Sequence, residues 1–158
     1  MSIKNLKPSH KSNYKQGYYN LINESKYVGP KPIIFRSGWE RSFAIYCDKN
    51  KNILKWSSEP FAIKYFSLLD KKYHTYYPDF YIKIQKGSTI KEYVVEVKPS
   101  SQLKKPTKPK RKTKKAVLNY NKAIETYIIN LSKFDAMKKF AKSHNYEVLF
   151  ITEKSFMI

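Results

Sequence analysis

Residues 76–98 read YYPDFYIKIQKGSTIKEYVVEVK, and the fold follows from how this stretch doubles back on itself. Two runs rich in aromatic and β-branched residues flank Lys86, Gly87, Ser88 and Thr89, where the glycine offers the permissive backbone of a tight turn. A hairpin turning on Gly87 and Ser88 sets Asp79 directly opposite Glu96, with Cβ atoms about 5 Å apart. A slip of one residue would send the two acids to opposite faces. Glu96 and Lys98, two positions apart, project from one face of the second strand. Two carboxylates and an ammonium are thereby gathered on one patch of sheet.

On the N-terminal side, Ser37 begins a helix, SGWERSFAIYCDKN, in which Trp39, Phe43, Tyr46 and Cys47 recur at helical spacing. Ile53–Trp56 and Phe61–Leu69 read as strands, and Tyr73–Ile84 as one continuous strand leading into the hairpin. On the C-terminal side, Lys104 to Lys115 (KKPTKPKRKTKK) holds eight basic residues, two prolines and no acid. Such a run cannot bury a core and is expected to be a mobile loop. Lys104, Lys105, Lys108, Lys110, Arg111, Lys112, Lys114 and Lys115 follow the carboxylate strand at once, and with Arg36 they are the candidate DNA contacts. Helices are expected over Ala116–Ile129 and Ser132–Ser143, broken near Asn130 with Ser132 as a cap. Their core positions would be Leu118, Ile124, Ile128, Leu131, Phe134, Met137 and Phe140. Tyr146–Thr152 closes the chain as a buried strand.

Residues 1–35 form a basic, tyrosine-rich arm, and residues 36–158 a single domain. Two readings of the arm stay open. It wraps its own domain with tyrosines as anchors, or it contacts nucleic acid through lysine–phosphate pairs and stacked tyrosines.

The chain of 158 residues carries 32 basic against 12 acidic residues, a formal charge of +20. Self-repulsion of that size marks a protein that works beside a polyanion, with nucleic acid the leading partner and a strong salt dependence expected. Cys47 is the single cysteine, which excludes an intramolecular disulfide and a thiolate zinc cage and favours a reducing compartment. Met1–His10 lacks an apolar signal core, and no apolar run approaches the roughly 20 residues that span a bilayer. A soluble, intracellular protein is expected. No phosphate-binding glycine loop, dinucleotide fingerprint or nucleophile elbow is present, so no nucleotide cofactor is expected.

Magnesium takes oxygen ligands, keeps several waters, and is content with one or two carboxylates plus substrate phosphate. Asp79 and Glu96 would supply the carboxylates and the Val97 carbonyl a further oxygen. Lys98 could orient a water or offset charge building on a phosphoryl group. Glu40 has two readings: Ser37-x-x-Glu40 is a capping box that satisfies its own helix, or Glu40, on the face shared with Phe43 and Cys47, points toward the core or a cleft. His10, His74 and His144 show no ligand spacing and are assigned to structure or surface. A solvated strand face would explain Glu96 and Lys98 without chemistry. Against that, Tyr93, Val95 and Val97 on one side and Val94 on the other imply that both faces are covered.

Glu40, then Pro78–Asp79, then Glu96-Val97-Lys98 resembles the PD-(D/E)xK, or restriction-endonuclease-like, nuclease pattern. The resemblance implies a mixed α/β fold: a central mixed sheet flanked by helices. It implies that Asp79 and Glu96 bind Mg²⁺, with Mn²⁺ as a substitute, that Lys98 assists the water, and that Glu40 contributes to the metal shell. Gln102 falls where some members carry another polar active-site residue. The wider strings FRSGWERSFAIYCDKN, KWSSEPFAIKY, YYPDFYI, VVEVKP and YEVLFITE are similar to the head-completion nucleases of contractile-tailed phages over approximately residues 33–153. That similarity implies an endonuclease acting on double-stranded DNA, and abundant phosphate-binding charge without a recognition helix or base-reading repeat predicts low sequence specificity. It would work in the host cytoplasm, after DNA packaging and beside portal or neck proteins, and could stay with the virion. The endonuclease subunit of heteromeric transposases shares the layout, which leaves a transposon-end nuclease as one alternative. A non-catalytic DNA-binding protein of the virion neck is the other.

Overall fold

The computed structural model describes residues 15–156, so residues 1–14 of the arm lie outside the described range. In chain order the elements are β1 (Gly17–Tyr19), β2 (Ile33–Phe35), α1 (Gly38–Lys49), β3 (Ile53–Ser58), β4 (Ile63–Ser67) and β5 (Lys72–Tyr76). They continue with β6 (Phe80–Lys86), β7 (Thr89–Val97), α2 (Lys114–Ser143) and β8 (Glu147–Ile151). Single 3₁₀ turns fall at Glu24–Lys26, Ser100–Leu103 and Glu153–Phe156. The architecture is a mixed α/β fold built on a four-stranded mixed sheet in the order β3-β6-β7-β8. Only β7 and β8 run parallel, and α2 is the long crossover that a parallel pair requires. Two small antiparallel sheets, β1-β2 and β4-β5, complete it.

Lys86 pairs with Thr89 and Phe80 with Val95, so the turn falls on Gly87 and Ser88 in the expected register. Gly87 sits at φ 60°, a conformation a Cβ would strain. Along β7 the side chains alternate. Tyr93, Val95 and Val97 pack with Phe43, Ala44 and Cys47 of α1, while Val94 meets Phe134, Met137 and Ala141 of α2. Both faces are covered, and by the period of two Glu96 falls on the α2 side. It is 1% exposed.

The described part of the arm lies against the domain. Tyr18 pairs with Ile34 across β1 and β2. Tyr19 and Tyr27 set their ring edges on Trp56, with centroids 5.9 and 4.8 Å away. Asp48, fully buried, accepts from the Tyr19 hydroxyl (2.9 Å), the Ile22 N–H (2.7 Å) and the Asn23 N–H (2.9 Å). Lys26 donates to the carbonyls of Cys47, Asp48 and Asn50 at 2.8–2.9 Å, closing the C-terminus of α1. Tyr18 remains half exposed.

The structure departs from the sequence reading in four places. Tyr73–Ile84 is two strands, not one, because Pro78 has no N–H to give a ladder and restricts Tyr77. The expected break near Asn130 is absent and α2 runs unbroken for 30 residues, about 45 Å. No glycine or proline interrupts it, and the Ser132 hydroxyl caps nothing: it donates to the Ile128 carbonyl and accepts from the Leu68 N–H on the β4–β5 hairpin. Leu118 and Leu131, read as core, are exposed, since every buried residue of α2 lies at or beyond Asn130. Finally, Lys114 and Lys115 belong to the first turn of α2, whose N-cap is Thr113 accepting from the Ala116 N–H at 3.2 Å. Among the described residues no helix is long and apolar enough to cross a membrane.

Candidate active site

Pro78 ends the β4–β5 excursion, and Asp79 stands at the doorstep of β6. Its backbone carbonyl accepts from the Glu59 N–H at 2.9 Å. Its carboxylate Oδ2 accepts from the Val97 N–H at 2.7 Å, which ties Asp79 to the end of β7. Glu96 is bracketed: Oε1 lies 2.8 Å from the Lys98 Nζ, and Oε2 accepts the hydroxyl of Tyr76. That hydroxyl also lies 3.4 Å from the Met137 sulfur, so α2 backs the pair. The structure thus brings Asp79, Glu96 and Lys98 together.

Crowding of like charge defines the electrostatics. Burial, then Glu96, then Glu40, push the Asp79 carboxyl well above the usual carboxylate range, against the opposing pull of Lys98 and the Val97 N–H. Glu40 is raised as well, by burial first, opposed by the Arg36 N–H and Ser37. Burial would lower Lys98, but Glu96, Asp79 and Glu40 outweigh it and leave the ammonium more basic than usual. Burial and its short contact with Glu96 likewise raise the Tyr76 phenol.

Glu40 takes both of its sequence readings at once. Its carboxylate accepts from the Arg36 N–H at 2.7 Å and the Ser37 hydroxyl at 3.1 Å, while its N–H donates to Ser37 Oγ. That is a capping arrangement. Yet Glu40 also lines a cleft of about 610 Å³ with Lys98, Gln102, Arg36 and Trp39. Gln102 reaches this cleft from the 3₁₀ turn that follows Lys98. Arg36 is less available than its charge suggests, because its Nε pairs with Glu59 at 2.9 Å. Lys104, Lys105, Lys108, Lys110, Arg111, Lys112, Lys114 and Lys115 are all exposed, and none forms an ion pair among the described residues.

Among the described residues, no three His, Cys, Asp or Glu side chains converge closely enough to enclose a cation by themselves. The donor set is therefore a carboxylate pair, with Asp79 Oδ1 accepting no hydrogen bond among the described residues. Such a pair, crowded by like charge and with Asp79 Oδ1 still open, suits a hard divalent cation that completes its shell with water and phosphate. Three neighbours were missed in the sequence. Tyr76 positions Glu96, Trp39 faces the cleft at 37% exposed instead of the core, and Lys133 of α2 sits over the ring of Tyr76. Lys133 shares a helix face with Asn130 and Met137. A lysine on a core-facing stripe was the available signal.

Comparison with known proteins identifies the family. Residues 50–153 match the TnsA-like endonuclease N-terminal domain. The head completion nuclease of Enterobacteria phage T4 is 34% identical over 132 residues, covering 83% of this chain and 86% of the relative. The β6–β7 hairpin, the α2 crossover and β8 all lie inside the matched span, and the chain belongs to the TnsA-like endonuclease family of restriction-endonuclease-like, DNA-hydrolysing enzymes.

Proposed function

We propose that this protein is a Mg²⁺-dependent DNA endonuclease that trims or nicks duplex DNA during completion of a phage head, beside portal or neck proteins. The observation that carries it is the Asp79–Glu96–Lys98 cluster, in which the Lys98 ammonium lies 2.8 Å from a buried carboxylate, within a family of endonucleases. The T4 relative bears the head-completion name, and this role is transferred from it. A divalent cation, magnesium or manganese in its place, would be held by Asp79 and Glu96 and would supply charge neutralisation at the scissile phosphate and acidity to a nearby water.

The side chains do the rest. Lys98 spends one donor on Glu96 and keeps two for a phosphate oxygen or the attacking water. Tyr76 holds the second oxygen of Glu96 and fixes the orientation of the carboxylate. Glu40, anchored by Ser37, adds negative charge at the cleft, and Gln102 offers an amide to the backbone of the substrate. The lysines and arginine of 104–115 bind phosphates without reading bases, which fits low sequence specificity.

Nicking of supercoiled plasmid by the purified chain tests this reading. Activity should require Mg²⁺ or Mn²⁺ and disappear in Asp79→Ala and Lys98→Ala, both of which still bind DNA. A wild-type chain that binds DNA tightly but never cuts would support the non-catalytic neck protein instead. Equal cutting by both variants would remove the site from consideration.

A further inference from the structure

The catalytic cluster described above draws on β6 and β7, and α2 serves as its backing. One turn of α2 does more than back it. Lys133 is only partly exposed, and its ammonium lies 5.6 Å from the ring centre of Tyr76 and 5.9 Å from that of Tyr65. Tyr76 is the residue that holds Glu96, so Lys133 stands one side chain away from the carboxylate pair. Among the described residues no carboxylate forms an ion pair with it. The two lysines also sense each other: burial first and then Lys98 depress Lys133, against the pull of Glu96 and Asp79. A half-buried ammonium with two aromatic faces and no ion pair among the described residues is an incomplete arrangement.

A second, independent deficit lies one turn earlier on the same helix. Asn130 is 5% exposed, and its side-chain N–H₂ has no hydrogen-bond partner among the described residues. Buried amide donors are nearly always paired, so an orphan invites an absent acceptor. Asn130 borders a recess shared with Gln102, and Gln102 also lines the cleft beside Lys98. Among the described residues, a lysine without an ion pair and a donor without an acceptor thus occur together at Asn130–Lys133, next to the site.

We propose that the Asn130–Lys133 turn of α2 is a second phosphate subsite, in which Lys133 binds a backbone phosphate of the DNA strand whose cleavage Lys98 assists. The assignment rests on the endonuclease reading of the Asp79–Glu96–Lys98 cluster, and it makes α2 a substrate-binding element beside the cleft. The strand would run between an ammonium from β7 and an ammonium from α2, so the phosphate at the cut and one neighbour are held from two sides.

The test measures binding and cutting separately. Binding of a short fluorescent duplex is followed by anisotropy, with Ca²⁺ as the added cation, across a series of salt concentrations. Lys133→Gln and Lys133→Met should lose about tenfold in affinity, and the salt slope should fall by roughly 0.9 for one lost phosphate contact. Lys133→Met keeps the apolar stem over the two rings, so it guards against a folding defect in the glutamine variant. Lys133→Arg should restore affinity and slope. In plasmid nicking the loss should fall mainly on KM, unlike Lys98→Ala, which should lose kcat. Unchanged affinity and slope in Lys133→Met with an unchanged Tm would overturn the subsite while leaving the nuclease reading intact. Failure of Lys133→Arg to restore binding, with a lowered Tm, would overturn it in favour of a packing role. If the wild type never nicks, the endonuclease reading fails, and the anisotropy series still decides whether Lys133 holds a phosphate.

Discussion

Asp48 and Asp79 are both acids held back from water, and their surroundings differ in kind. Asp48 ties the N-terminal segment to α1 and is saturated: one hydroxyl and two backbone N–H groups converge on its oxygens. Asp79 receives one backbone N–H and lies in the fields of Glu96 and Glu40. A saturated buried charge is structural, because its lone pairs are occupied by the fold. An undersupplied carboxylate beside another acid is poised for a cation, because the fold alone leaves it unstable. The same residue type therefore builds the scaffold in one place and the chemistry in another.

Substitution should separate the two regions cleanly. Lys98→Ala is expected to lower plasmid nicking by roughly 10²–10³-fold, with Tm within a few degrees of wild type. Asp48→Ala should do the reverse. Three donors lose their acceptor, costing about 3–5 kcal/mol, and Tm should drop by roughly 10 °C by calorimetry. The nicking rate per folded molecule at low temperature should stay near wild type. A large activity loss in folded Asp48→Ala would dissolve the contrast.

The pH dependence refines it. Because Asp79 titrates higher in the folded chain than unfolded, the native state holds the extra proton between the two pKa values. Stability from this group is present at or below the unfolded pKa, about 4, and is lost as pH rises through the elevated folded value. Asp79→Asn removes that loss. Without divalent cation, its Tm advantage over wild type should grow as pH rises from about 4 toward neutrality, and Mg²⁺ should shrink it by stabilising only the wild type. A Tm difference that is flat with pH would show that Asp79 is not strained.

Smaller effects follow at the periphery. Replacing Lys110, Arg111 and Lys112 together with Gln should reduce the slope of log affinity against log salt by up to about 3, with kcat retained. Ser37→Ala should cost about 1 kcal/mol through loss of the α1 cap, read as a Tm shift of about 2–4 °C. It should also weaken nicking modestly by loosening Glu40.

Much of this was legible in residues 76–98. Turn chemistry at Gly87–Ser88 and the alternation of β7 placed Asp79, Glu96 and Lys98 together, and the Ser37–Glu40 spacing foretold the cap. What escaped was decided at a distance. Ser132 resembled a cap, but it packs under the β4–β5 hairpin, so the local signal was overruled by tertiary contact. Leu118 has a core pattern and no core to join, because the first half of α2 outruns the sheet. Tyr76 and Lys133 carry no motif, and their roles exist only because α2 lies against the β5–β6 junction.

Short-range forces set the hairpin register, the faces of β7 and the start of α1, since turn conformation and side-chain period depend on neighbours within a few residues. Partners, burial and charge balance are long-range quantities. Only the packing of α2 and of residues 15–35 onto the sheet determined that Asp48 would be satisfied, Asp79 undersupplied and Lys133 left without an ion pair among the described residues, because each of those states depends on groups tens of residues away.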